Sequence, residues 1–253
     1  MRAFFVMEQI YSNYTSEDQL VWKTLFDRQV VNLEKKGDPS YLQCLDTLSD
    51  YLNATSIPDF KQVNQRLGNL NGWQITVVPG LIPVEDFFSL LAEKKWCSST
   101  WLRPMKQLDY LEEPDMFHDI FGHLPLLADP VFSKFMESFG KLGVRFMDSP
   151  SALTCLQRLY WFTVEFGVTG RLDAPLLYGA GIMSSYGESN HIYSDSVTIH
   201  PFDLEKVINH SFVNSEIQAE YYHVESYQQL YDAIGELGDL LEQGIEVTPD
   251  IIR

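Results

Sequence analysis

Between Ser16 and Lys36 apolar residues recur at Leu20, Val21, Leu25, Val30 and Leu33, close to the helical repeat. The run follows Thr15-Ser16-Glu17-Asp18, which resembles a capping box, and precedes Gly37, so it predicts a helix with both ends marked. Similar spacing predicts helices over about 40–53, 59–68, 84–95, 130–147, 151–168, 203–209 and 226–242. Strand-like pieces are few and short: Trp73–Val78, Leu176–Tyr178, Val197–His200 and Glu220–Val224, each bounded by Gly, Pro or polar turn residues. The expected fold class is mainly α with small β elements. With no internal repeat, low-complexity run or Gly/Ser-rich linker, one domain spanning 1–253 is expected.

The chain has 253 residues and 45% hydrophobic content, enough for a sizeable core. Eighteen Lys and Arg stand against 35 Asp and Glu, and the net charge of -17 repels phosphate backbones and anionic membrane surfaces. No nucleic-acid or membrane partner is expected. The first segment, MRAFFVMEQIYSNY, carries an apolar patch interrupted by Glu8 and too short for a signal sequence or a membrane span, so the expected location is cytoplasmic. Cys44, Cys97 and Cys155 are scattered, with no CxxC spacing, and read as three ordinary buried thiols.

The chemistry concentrates in Glu113-Pro-Asp-Met-Phe-His-Asp-Ile-Phe-Gly-His-Leu-Pro125, where two histidines sit five apart on an otherwise apolar segment. On an ideal helix, positions five apart differ by about 140°, so His118 and His123 would not face one point. Gly122 and Pro125 are read as ending the helix there, letting His123 swing toward the point that His118 faces. A third ligand has to come from another element. Glu165, alone among the bulky apolar residues of Leu159-Tyr-Trp-Phe-Thr-Val-Glu-Phe-Gly167, is the candidate, because a carboxylate buried there is costly unless it is paired or binds a metal. Two imidazoles and one carboxylate match the facial triad of iron(II) oxygenases. The residues alone leave alternatives: a packed core histidine pair, Glu165 bridged to Arg158 or Arg171, or a zinc hydrolase, although HExxH is absent.

Longer strings narrow these. The segment from Glu113 through Leu127, Tyr160-Trp-Phe-Thr-Val-Glu-Phe-Gly167 and Tyr178-Gly-Ala-Gly-Ile-Met-Ser-Ser-Tyr-Gly-Glu188 resemble, in order and spacing, the signatures of pterin-dependent aromatic amino acid hydroxylases. The resemblance runs from about Val78 to Tyr227 and is nearest to the short bacterial phenylalanine 4-hydroxylases. It implies a basket-like helical catalytic domain using iron(II), tetrahydrobiopterin or a related tetrahydropterin, and dioxygen to convert L-phenylalanine to L-tyrosine. By motif, His118, His123 and Glu165 would hold the iron. Arg103 would clamp the amino acid carboxylate, a task for a planar bidentate donor. Ser184 would assist that clamp, and Trp161 and Pro114 would line the ring pocket. Phe87 would stack on the pterin, with Gly80 and Ile82 bordering it.

Some positions depart from the family pattern. Asp119 stands where animal relatives have a Glu that reaches the pterin through water. Asp115, one helical turn before His118, is expected to orient a ligand imidazole from behind, with Tyr160 also supporting the ligands, and Glu113 to serve as a structural ion-pair partner. Leu111 replaces a threonine that supports substrate binding in animal enzymes. Trp161 disfavours tryptophan as substrate. His223 is assigned to a position that is apolar in the animal phenylalanine enzyme and acidic in the tyrosine enzyme. No regulatory or tetramerisation extension is recognised, so a monomer or dimer is expected. A zinc hydrolase with the same ligands, or a non-enzymatic pterin or amino acid sensor, are the competing readings.

Overall fold

The computed structural model describes residues 7–109, 113–214 and 216–247. The chain opens with α1 (Ser16–Leu33), α2 (Pro39–Thr47) and α3 (Phe60–Asn71), then β1 (Gln74–Val77), α4 (Val84–Ala92) and β2 (Lys95–Ser98). After the first histidine segment come α5 (Pro130–Arg145) and α6 (Pro150–Tyr160), then β3 (Gly167–Arg171), β4 (Ala174–Leu177), α7 (Ala180–Ser184) and α8 (Glu188–His191). The chain continues through β5 (Thr198–Pro201), α9 (Leu204–Asn209), β6 (Glu220–His223) and α10 (Tyr227–Glu242). The mainly helical expectation with minor sheet holds. None of the helices is long and apolar enough to cross a membrane among the described residues.

Local chemistry explains most of these boundaries. The capping box forms as expected: Thr15 accepts from the Asp18 N–H, and the Asp18 carboxylate accepts from the Thr15 N–H. Asp129 accepts from the N–H groups of Val131 and Phe132, and Pro130 occupies the first turn, where its missing N–H costs nothing. One face of α5 is then buried through Phe132, Phe135, Met136 and Phe139, and the helix packs between α4 and α10.

The strands form two small sheets. β1 and β2 pair in parallel, Gln74 opposite Lys95. The second sheet has the order β4-β3-β6-β5, with β3 and β4 antiparallel and the other pairs parallel. Three expected helices are shorter than their apolar patterns suggested: the 40–53 helix stops at Thr47, where Leu48 leaves helical geometry. The 84–95 helix stops at Ala92, where Lys94 takes a φ of 57° and turns the chain into β2. The 151–168 pattern divides into α6, a separate turn and β3, because a fully apolar run carries no period that separates buried helix from buried strand. Cys44 and Cys155 are buried free thiols, whereas Cys97 is only half-buried.

Asp38 ties three layers together. Its carboxylate caps α2 at Ser40 and Tyr41, and also accepts from Thr169 of β3 at 2.5 Å and from the Tyr227 hydroxyl of α10 at 3.1 Å. Asp38→Ala removes the cap and strands two buried hydroxyls. It is expected to lower unfolding free energy by about 2–4 kcal/mol, read as a lower denaturant midpoint at unchanged slope.

Candidate metal centre

Two turns of the same unusual kind carry the candidate ligands. His118–His123 and Trp161–Glu165 are both π-helical turns, and the second closes with the Phe166 N–H bonded to the Trp161 carbonyl five residues back, at 2.9 Å. A turn closed at i+5 brings residues five apart nearly into line, so His118 and His123 face the same point from within continuous helical backbone. The expected mechanism, a helix end at Gly122 and Pro125, is therefore corrected: backbone continues through His123, and Pro125 opens a 3₁₀ turn, Pro125–Ala128. Gly122 has a different task. A Cβ there would lie 2.8 Å from the Ala180 carbonyl oxygen, and one on Gly179 would lie 2.4 Å from that of Glu165. The missing side chains let both ligand-bearing turns close onto α7 and the residue preceding it.

The three ligand atoms converge. His118 Nε2 lies 3.1 Å from His123 Nε2, and Glu165 presents one oxygen 3.0 Å from His123 Nε2 and the other 3.6 Å from His118 Nε2. Among the described residues this is the one cluster of three such side chains close enough to share an ion. Burial pushes His118 down to about 4, only partly countered by Glu165. Burial works against the Glu165 carboxylate as well, but the two imidazoles and the Tyr160 hydroxyl outweigh it and hold it at about 2. Two imidazoles and one carboxylate meeting at one point form a donor set that suits iron(II).

Neighbours fix the ligands. Ser184 spends its one proton on the Ala180 carbonyl at 2.8 Å, so its oxygen accepts from His118 Nδ1 at 2.9 Å. That leaves His118 Nε2 unprotonated and aimed at the centre. Ser184 thus serves an imidazole, whereas the sequence reading assigned it to the carboxylate clamp. His123 packs between Trp96, 4.4 Å away, and Tyr160, 6.2 Å away. Asp115 touches no imidazole: it accepts from the His118 backbone N–H at 3.1 Å and holds Arg103 in a two-pronged ion pair at 2.8 and 2.9 Å. The expected role at the ligand ring becomes one on its backbone. Arg103 is buried; Asp115 engages its Nε and Nη2, and its Nη1 donates to the Leu108 carbonyl at 3.4 Å.

A cavity of about 380 Å³ opens over the three ligands. Gly80, Ile82, Phe87, Pro114, Asp119, Tyr160 and Trp161 line it, whereas Arg103, Asp115 and Ser184 are not among its lining residues. Phe87 meets Tyr160 edge to face at 5.5 Å. Burial pushes the Asp119 carboxyl up to about 7, with the Ser99 N–H pulling the other way. The sequence reading missed Trp96, Ser99, Gln157, Phe212 and Asn214, which also line the cavity, as does the half-buried Cys97. Ser99 opens the Ser99-Thr-Trp-Leu-Arg-Pro104 string that carries Arg103; the others stand in no motif. His223 does not line it: its Nε2 donates to the Gly170 carbonyl at 2.7 Å on the far side of β3. Glu113 is exposed and pairs with no described residue, and Leu111 lies outside the described residues.

Iron(II) added at about a hundred times its dissociation constant is expected to raise unfolding free energy by about 2.7 kcal/mol, measured as a metal-dependent melting shift. The shift should vanish in His118→Ala. Asp115→Asn leaves the buried Arg103 short of its counter-charge and is expected to cost about 3–5 kcal/mol, visible in the melting temperature without added metal.

A family model described as biopterin-dependent aromatic amino acid hydroxylase matches residues 6–251. The phenylalanine-4-hydroxylase of Ralstonia nicotianae is 42% identical over 234 residues, spanning 92% of this chain and 74% of that one. That of Chromobacterium violaceum is 41% identical over 230 residues, spanning 90% and 76%. The crystal structure of the Chromobacterium violaceum phenylalanine hydroxylase with bound iron(III) and oxidised 7,8-dihydrobiopterin matches at a TM-score of 0.86 and 39% identity, covering 98% of this chain and 90% of that one. The chain belongs to the biopterin-dependent aromatic amino acid hydroxylase family.

Proposed function

We propose that this protein is an iron(II)- and tetrahydropterin-dependent phenylalanine 4-monooxygenase. One oxygen atom of dioxygen enters the phenylalanine ring to give tyrosine, and the other leaves on the pterin as a 4a-hydroxytetrahydropterin. The pterin supplies the two electrons that this division of dioxygen requires. The observation that carries the reading is the convergence of His118, His123 and Glu165 at the floor of an aromatic-lined cavity sized for two small flat reactants. The relatives' names and the iron and dihydrobiopterin bound by the structural neighbour support it.

In this reading His118, His123 and Glu165 would hold iron, which when bound would supply the activation of dioxygen. Phe87 offers a flat surface on which the pterin ring stacks, with Gly80 and Ile82 at its border and Asp119 facing its polar edge. Trp161 and Pro114 bracket the substrate ring. Arg103 gives the amino acid carboxylate its guanidinium charge and the N–H groups that Asp115 and the long 3.4 Å bond to the Leu108 carbonyl leave over, and Asp115 keeps the guanidinium from turning away. The apolar lining of Phe87, Phe139 and Trp96 limits water at the reacting atoms. We further infer a single catalytic domain over 1–253, located in the cytoplasm, with no nucleic-acid partner; the net charge of -17 supports the last point.

Purified protein given iron(II), a synthetic tetrahydropterin and dioxygen is expected to form tyrosine from phenylalanine. In His123→Ala the rate should fall by more than about a hundredfold, beyond what changes behind the ligands cost. Wild-type protein that consumes no pterin with any aromatic amino acid would sink the assignment.

A further inference from the structure

The wall of the cavity beyond Trp161 comes from the segment between α9 and β6, which contributes Phe212 and Asn214. Among the described residues, strand pairing of this stretch starts at Glu220, and side chains tie down what precedes it. Phe212 stacks on Trp161 at 4.4 Å with planes 13° apart, and His210 stacks on Phe162 at 4.7 Å. Behind both lies Gln218, buried at 7% exposure and absent from the cavity surface.

The hydrogen bonds of Gln218 leave no choice of orientation. The indole N–H of Trp161 can only donate, so the amide oxygen faces it, at 3.0 Å. The amide nitrogen then donates to the carbonyls of Val213, at 3.0 Å, and Glu216, at 2.9 Å. The Gln218 backbone N–H is held by Glu188 of α8, whose other oxygen accepts from the Tyr221 hydroxyl at 2.7 Å. One side chain thereby joins the two halves of the cavity wall: Trp161, on the turn that carries Glu165, and the residues that flank Asn214. No other side chain type of this size offers one acceptor and two donors in this arrangement.

We infer that Gln218 is the positioning residue that sets the width of the amino acid pocket, and through it the choice among aromatic amino acids. This rests on the proposed hydroxylase activity. Gln218 touches neither reactant; it acts by holding Trp161 and Phe212 in register. Gln218→Glu still accepts from Trp161 but sets an oxygen against two carbonyl oxygens. Gln218→Met keeps the volume and loses all three bonds.

The test measures steady-state kinetics of iron-loaded wild type, Gln218→Glu and Gln218→Met with phenylalanine, tyrosine and tryptophan, beside melting temperature and iron content. The expected result is a rise of about tenfold in KM for phenylalanine, the scale of one lost buried hydrogen bond, with KM for the tetrahydropterin within about twofold of wild type. The preference for phenylalanine over tryptophan should fall by a similar factor. Phe212→Leu, which removes the stacked ring without touching Gln218, should shift selectivity in the same direction, and the double variant should be no worse than the worse single one. If the Gln218 variants lose iron or unfold, the Phe212→Leu selectivity decides. Unchanged KM and selectivity in a folded Gln218 variant, or unchanged selectivity in Phe212→Leu, overturns the inference. A wild type without tyrosine formation instead overturns the activity on which it rests.

Discussion

A carboxylate and two imidazoles, gathered at one largely buried point, set the terms for the rest of this molecule. Each group loses hydration on burial, and at Glu165 the contacts with the imidazoles and Tyr160 outweigh that loss. The backbone meets this constraint by distorting in two places. An α-helix would aim His118 and His123 about 140° apart, so the first turn is wound to the wider π spacing, and Glu165 arrives on a second turn of the same kind. Such turns are poor structures in isolation. Here the first is held by the Tyr41 hydroxyl bonded to the Phe121 carbonyl and by the Phe117 and Phe121 rings stacked 4.8 Å apart. The second is pinned at its end by β3, which pairs with both β4 and β6.

The layer behind the ligands divides the work economically. Ser184 fixes the tautomer of one imidazole, Trp96 and Tyr160 confine the other, and Tyr160 also reaches the carboxylate. Asp115 links the metal side to the proposed substrate side, since the same carboxylate grips the His118 backbone and the Arg103 guanidinium. A displacement of either partner would therefore be felt by the other, which suits a reaction that must register two organic molecules against one ion. On the opposite wall, the Gln218 side chain couples Trp161 to the Val213 and Glu216 carbonyls, so side-chain hydrogen bonds join the two parts of that wall.

How much of this was legible in the sequence follows the range of the forces involved. Local rules suffice for the Thr15 cap, the Asp129-Pro130 helix start and the strands from Trp73 and Glu220, because those features depend on neighbours a few residues away. They failed at Lys95 and at Gly167, where an apolar stretch leaves helix for strand and only pairing with a distant strand decides the outcome. The ligand types were readable because a lone Glu in a bulky apolar run and two histidines on an apolar segment are costly without a purpose.

Sequence by itself thus determined the residue chemistry available to the protein: which helices begin where, which groups can bind a divalent ion, and which family motifs surround them. Tertiary structure alone decided how those groups are used. The support of the first π turn by Tyr41, the bond of Ser184 to the His118 imidazole, the grip of Asp115 on Arg103, and the stacking of Phe212 on Trp161 at the cavity wall each depend on contacts between segments 12 to 80 residues apart. Neither a motif nor a period encodes those contacts, because they are set by how whole elements pack.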